Sequence, residues 1–444
     1  MKFMQGSEEV NSNGGFSLVK KQLDGNIRMK DWDSKLPAAP NSLYPTSAIV
    51  RSGIGLMAAG DSGYADIEKF RSDFLFRRLV GGDVPSQETF RQRLDALAEG
   101  DWRSVLDASV GDLLSRVRLT RIDVDGEELI PLDIDVSVLE DTGSRKEGVS
   151  PTYRKVNGYA PIFCHVGREG FMVANELRPG SQHGENGAVE FLKRCVGIML
   201  EAGYKAGELL VRVDSGHDSS DFIEALSELG VKFLVKRNLR SESPEQLLDS
   251  IRHYEDPQQV RPGKTIYRGV RSDKSPANFP GYRGFMVVEA VERTVLADGQ
   301  ALLMPSVELG SWWTNLPYSV RRCAALYRDH GTGEQFHSEL KCDMGIELLP
   351  SGNMKTNALV LGLATMAFNC LRSIGQAALE IAAPPADEEG KEEKPVRVRY
   401  RLRTVLLDYI KVGCKIVRHA NRLFQKFGKN CHNFLVMKEI YARC

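Results

Sequence analysis

A chain of 444 residues exceeds one small domain and allows, at ~100–200 residues per domain, two or three folding units with a sizeable core. Its 42% apolar and 27% charged composition excludes disordered, collagen-like and membrane-embedded classes. Lys plus Arg and Asp plus Glu both number 59, so global charge does not advertise nucleic acid as a partner and local patterns decide. The opening MKFMQGSEEVNSNGG has no basic segment followed by an apolar run, so no secretory signal is expected. The most apolar stretch, 358–368, is far below the ~20 residues that cross a bilayer, and a cytoplasmic location follows. Eight cysteines without a CxxC pair argue against a zinc ribbon or a disulfide framework.

In chain order, residues 1–45 are polar and turn-rich and read as an irregular arm. Residues 48–118 carry helical patterns: 64–79, then Ser86 as an N-cap before QETFRQRLDAL, then 102–117. Basic residues there (Lys69, Arg71, Arg77, Arg78, Arg91, Arg93) are interspersed with acids, and a solvated surface and a DNA contact both stay open. At Leu129 the period changes to two. LIPLDIDVSVL puts Leu132, Ile134, Val136 and Val138 on one face and Asp133, Asp135 and Ser137 on the other. YAPIFCHV and FMVANEL form a hairpin through Gly167-Arg168-Glu169-Gly170. Helix 188–200, strand ELLVRVD, helix 219–229 and strand VKFLVKR follow, an order β-β-β-α-β-α-β that matches a ribonuclease H-like fold.

Short strand-like runs then mark a β-rich insertion, WWTNLP resumes a strand end, and 320–349 is helix-rich before TNALVLGLATMAFNCLRSIG. The acidic, Pro-bearing IAAPPADEEGKEEKP reads as a linker. Beyond it Lys and Arg far outnumber acids, with Tyr400, Tyr409, Phe424, Phe427 and Phe434 interleaved, a composition suited to phosphate backbones or to a solvated helix. The expected class is α/β, with an N-terminal arm and helical DNA-binding domain (1–122) before a ribonuclease H-like core. That core runs over 123–238 and resumes over 310–380 after the β-rich insertion (239–309); the linker (381–395) and a basic C-terminal helical tail (396–444) complete the chain.

Asp135 lies mid-strand and Asp214 ends VRVD, and the sheet order makes them neighbours. Two adjacent carboxylates repel unless a cation neutralises them, which favours a divalent-metal site, with Mg²⁺ the natural occupant. A third carboxylate is needed for a two-ion phosphodiester site. Glu334 is the choice and Glu339 the alternative; Asp133 competes with Asp135 on the same strand face, and Asp218 is a candidate helix cap.

These residues resemble DDE-class insertion-sequence transposases, specifically the insertion sequence 1380 family, similar to the branch with a Tyr-x2-Arg-x3-Glu-x6-Lys signature. Tyr327, His330, Glu334 and Lys341 reproduce that spacing, with His330 where Arg is expected. LDIDVSV resembles the first-acid strand, VRVDSGHDS the second, DVPSQETFRQRLDAL the N-terminal region and TNALVLGLATMAFNCLR the helix after the Glu, together spanning about residues 50–375. The resemblance implies cut-and-paste transposition by a homodimer at paired inverted repeats in double-stranded DNA, without a membrane partner, in a nucleoid-associated enzyme. It implies two Mg²⁺ ions, or Mn²⁺ in their place, on Asp135, Asp214 and Glu334, and end phosphates held by Tyr327 and Lys341. Imidazole at His330 lacks the permanent charge and fork of Arg. Trp312 and Trp313 are candidates for stacking on an unpaired base.

Two other readings compete. LDIDVSV also resembles the Asp-x-Asp opening of haloacid-dehalogenase-like phosphatases, which the hairpin after Asp135 opposes. A catalytically silent DNA-binding regulator is opposed by retention of all three acids and Lys341. Gly53-x-Gly55 lacks the context of a dinucleotide loop, and His217, His337 and His419 lack metal-ligand spacing and read as ordinary surface or satisfied histidines.

Overall fold

The computed structural model describes residues 1–444 except 2, 5, 7, 241, 277, 278, 280, 383–396 and 444. The segment expected to be an irregular arm instead holds strand β1 (Val10–Asn11) and helices α1 (Phe16–Asn26) and α2 (Met29–Lys35). Burial is the reason: Phe16, Val19, Leu23 and Trp32 recur at helical spacing and are all buried. Helices α3 (Thr46–Ala58), α4 (Phe74–Val80), α5 (Gln87–Ala98) and α6 (Trp102–Leu114) follow. Polar caps set the starts of α4, α5 and α6, since Asp73, Ser86 and Asp101 each accept a hydrogen bond from a backbone N–H three residues on.

From residue 122 the chain builds a mixed sheet. Strands β2 (Ile122–Val124) and β3 (Glu127–Val136) lead into a small separate sheet of β4 (Leu139–Glu140), β5 (Ser150–Pro151) and β6 (Asn157–Tyr159), ordered β4-β6-β5. The hairpin β7 (Ile162–Val166) and β8 (Phe171–Glu176), helix α7 (Ala188–Glu201), strand β9 (Leu209–Val213), helix α8 (Ser220–Glu228) and strand β10 (Lys232–Lys236) come next. Strand β3 pairs antiparallel with β7 and parallel with β9, and β9 pairs parallel with β10. The turn between β7 and β8 lies against the helix that later carries Glu334: a Cβ on Gly170, at φ +73, would stand 2.2 Å from the Phe336 ring.

The segment expected as an insertion contains α9 (Pro244–Ile251), β11 (Gln258–Arg261), β12 (Lys264–Arg271), β13 (Phe285–Val295) and β14 (Ala301–Thr314). Its strands extend the main sheet, ordered β11-β12-β13-β14-β10-β9-β3-β7-β8 with β2 beside β3. Strand β14 runs through the expected 309/310 boundary because its last residues pair with both β10 and β13. Helices α10 (Val320–Arg328) and α11 (Gly333–Ser338) lead into a π-helical turn, Glu339–Asp343, and then α12 (Met354–Ala382). By length and composition α12 would cross a membrane, yet 94% of its apolar window is buried inside the fold. The expected linker at 381–395 lies outside the described residues beyond the end of α12.

The tail departs from the expected helix. After α13 (Leu402–Val405) it forms a hairpin, β15 (Cys414–His419) and β16 (Arg422–Phe427), before α14 (Phe434–Arg443). Cys414 and Ile416 are buried while Lys415 and Val417 are less so, a period of two that the high Lys and Arg content masks in the sequence. Ala420 and Asn421 turn the hairpin at φ +46 and +58. Strand β1 pairs with β15, Val10 opposite Lys415 and Asn11 opposite Cys414.

Helix α12 covers the β8 edge with side-chain amides. Asn369 accepts from the Met172 N–H at 2.8 Å and donates to its carbonyl at 2.8 Å, and Asn175 donates to Leu361 O and Thr365 Oγ1. Asn369→Leu keeps the branched shape but strands both Met172 groups, so stability should fall by about 2–5 kcal/mol, read from the urea midpoint.

Candidate active site

The floor of the site is set by one parallel register. Asp133 stands opposite Arg212 and Ile134 opposite Val213, so Asp135 and Asp214 emerge side by side where β3 and β9 end. The layer beneath is a buried ion pair: Arg212 Nε and Nη2 each donate to Asp133 at 2.7 Å, and Arg212 Nη1 donates to Leu326 O at 2.7 Å. His330 Nδ1 lies 3.0 Å from the same carboxylate. Burial opposes charge on Asp133, but Arg212 and His330 outweigh it and hold the carboxyl down to about 2. Burial likewise opposes charge on His330, and Asp133 more than offsets it, raising the imidazole above its ordinary value. Asp133 is therefore committed to Arg212, which leaves Asp135 as the strand's available acid.

Asp214 Oδ1 accepts from Gly216 N–H at 3.0 Å and lies 3.1 Å from His217 Nδ1. Burial works to raise its carboxyl, but His217 and the Gly216 amide outweigh it and lower it. Asp135 goes the other way. Burial and then the Asp214 charge raise its carboxyl, and its Oδ2 lies 3.7 Å from His337 Nδ1.

A cavity of about 550 Å³ opens over these acids and is lined by Asp135, Asp214, Glu334, His330, His337 and Lys341, with Tyr153 and Arg154 at the same wall. Glu334, His337 and Lys341 recur three and four residues apart along α11 and the π-helical turn, which presents one face to the cavity. Lys341 Nζ donates to Val138 O, and burial lowers its ammonium. Glu334 is exposed, whereas Glu339 is 1% exposed and ion-paired with Arg372 at 2.7 Å and Arg399 at 3.4 Å. Glu339 also accepts from Leu402 N–H at 3.1 Å, so it ties α12 to the tail.

Not every expected contact stands in the cavity. Trp312 and Trp313 are 6% and 4% exposed in β14, and Trp313 Nε1 donates to Asp218 Oδ1 at 2.9 Å. Neither ring has the free face that base stacking requires, a correction to their expected role. Asp218 bonds Trp313 and Asn238 N–H rather than capping α8, which Ser219 does. Tyr327 is half-buried, its ring 5.5 Å from both Trp312 and His330. His330 spends Nδ1 on Asp133, a different use from the forked phosphate contact of an Arg. His217 and His337 are not surface histidines: both are buried beside a catalytic-candidate acid, each with an unpartnered Nε2. Their positions three residues after Asp214 and three after Glu334 were the available signal. Nothing in the sequence marked Tyr153 or Arg154, which the turn before β6 brings to the rim.

Hard oxygen donors on adjacent strand ends, one of them disfavoured as an anion by its neighbour, fit a divalent cation. Among the described residues no three His, Cys, Asp or Glu side chains converge closely enough to hold one as a closed cage. The arrangement is a two-carboxylate floor with Glu334 on a separate wall.

The family model described as Transposase DDE domain group 1 matches residues 3–444. No curated protein matches the chain. Among solved structures, the cryo-EM structure of a piggyBac transposase synaptic complex with hairpin DNA is similar at 10% identity and a TM-score of 0.39, over 82% of this chain and 74% of that one.

Two substitutions separate the neighbouring glutamates. Glu339→Ala leaves Arg372 buried without its charge partner and should cost about 3–5 kcal/mol in urea unfolding, whereas Glu334→Ala should stay within about 0.5 kcal/mol. For Asp135 the raised carboxyl means that its ionisation opposes folding. Stability is lost as pH rises from the ordinary Asp value of 3.8 through the raised native one, so Asp135→Asn should be more stable than wild type at pH 7, with the gain vanishing near pH 3 in thermal melts.

Proposed function

Because the chain belongs to the group 1 transposase DDE-domain family, we propose that this cleft cuts DNA at the terminal inverted repeats of an insertion sequence and joins the freed ends to target DNA, the chemistry of cut-and-paste mobilisation. The observation that carries the reading is the emergence of Asp135 and Asp214 side by side from parallel β3 and β9, with Glu334 and Lys341 lining the same cavity. Antiparallel β3, β7 and β8 followed by parallel β9 and β10 support a ribonuclease H-like core. The Tyr327, His330, Glu334 and Lys341 spacing supports the insertion sequence 1380 branch.

Asp135, Asp214 and Glu334 would hold two Mg²⁺ or Mn²⁺ ions, which supply Lewis acidity to the phosphate and the attacking oxygen when bound. His217 and the Gly216 amide keep Asp214 ionised and fixed in direction. Lys341, tied to Val138 O, and Arg154 at the rim offset phosphate charge. In the first step water oxygen bonds to phosphorus while the P–O3′ bond breaks, leaving a 3′-OH. That hydroxyl then attacks a target phosphodiester and displaces its 3′ oxygen, so no covalent protein intermediate forms. The partners are double-stranded DNA and a second copy of the chain, one on each end, in a cytoplasmic, nucleoid-associated setting.

A labelled duplex carrying the DNA that flanks this gene should be cut at the repeat boundary with Mg²⁺, and not with EDTA or by Asp214→Ala. Cutting by Asp214→Ala would sink the assignment, and end binding without cutting by wild type would favour the silent regulator.

A further inference from the structure

The cavity over the acids needs an aromatic surface if it is to hold a base beside the reacting phosphate, and the two tryptophans have no free face. Among the described residues lining it, Tyr153 is the one Phe, Tyr or Trp. The residue is 62% exposed, so its ring is open to a ligand in the cavity. Yet the ring is not loose. Its hydroxyl donates to Val136 O at 3.3 Å, and Val136 follows Asp135 on β3.

The turn that carries Tyr153 is rigid for a local reason. Thr152 N–H and Oγ1 both donate to Val156 O, at 2.9 and 2.8 Å, and Lys155 N–H returns to Thr152 O at 2.9 Å with Lys155 at φ +62. Arg154 is exposed on the same turn with its guanidinium 5.8 Å from the centre of the Tyr153 ring. Bases along one strand repeat about every 3.4 Å. A ring tethered to the residue after Asp135 therefore stands within a base or two of any phosphate at the acids.

Resting on the cleavage reading above, we propose that Tyr153 is the stacking platform for the base adjacent to the scissile phosphate, and that Arg154 contacts a backbone phosphate at the same step. Stacking is sequence-tolerant, because every base has a π face, so this contact fixes the position of the strand and not its identity. The pre-set turn means that little side-chain freedom is lost when the base arrives.

The test uses the full chain and a duplex of the DNA flanking this gene, with 2-aminopurine at each position across the boundary, in EDTA so that binding is read apart from cutting. Tyr153→Ala should weaken binding roughly 5-fold to 100-fold, with Tyr153→Phe recovering most of the loss. A change in 2-aminopurine emission confined to the one or two positions next to the boundary should occur with wild type and Tyr153→Phe and disappear with Tyr153→Ala. Arg154→Ala should make the log–log salt dependence of binding shallower by roughly one. Both side chains are exposed, so equal melting temperatures should accompany these losses. Wild type that binds in EDTA and cuts once Mg²⁺ is added, with Tyr153→Ala matching it in affinity and emission, overturns the stacking role alone, and an unchanged slope in Arg154→Ala overturns the phosphate contact. Wild type that neither binds nor cuts the duplex overturns the cleavage reading and this inference together.

Discussion

The ion pair of Asp133 with Arg212 is the constraint on which the site depends. It joins β3 to β9 across the register that places the two acids together, and through Leu326 O and His330 it also fixes the helical segment that precedes Glu334. Buried charges are costly to desolvate, and this pair is compensated because the guanidinium fork meets both carboxylate oxygens while Nη1 donates to a carbonyl. With Asp133 taken up by Arg212 beneath the floor, the two acids above it face each other, and the Asp214 charge raises the Asp135 carboxyl.

That division of labour among carboxylates recurs on the wall. Glu339 is consumed by Arg372, Arg399 and the Leu402 amide, and it anchors the π-helical turn to α12 and the tail. Glu334, five residues earlier, is exposed to the cavity. The anchored glutamate lets the neighbouring one stay uncommitted, as Asp133 does for Asp135. In both pairs the acid nearer the core is neutralised by arginine, and the acid nearer solvent is left for a ligand.

Much of this was legible in the sequence because the signals were local. Alternation at 129–138 located β3 and the Ser86 cap located α5; the spacing from Tyr327 to Lys341 chose Glu334 over Glu339, and of the two Glu339 is the buried, ion-paired one. What was not legible depended on tertiary partners. Trp312 and Trp313 looked available because strand burial on both faces of a sheet leaves no trace in a Gly-Ser-Trp-Trp run. His337 looked ordinary because its carboxylate neighbour, Asp135, stands on a strand that only the fold brings to it, whereas Asp214 lies three residues before His217 and was a local signal passed over. The helical reading of the tail failed because charged side chains on a hairpin hide a period of two.

The pairing of β1 with β15, and the packing of α1 beside α14, joins segments separated by about four hundred residues of chain. During synthesis the first strand therefore waits, with its edge unpaired, until the chain through β15 has left the ribosome. A chain interrupted anywhere before residue 414 lacks this closure altogether. Synthesis through β15 is thus itself a checkpoint on assembly of this unit, so that products ended before it cannot present it.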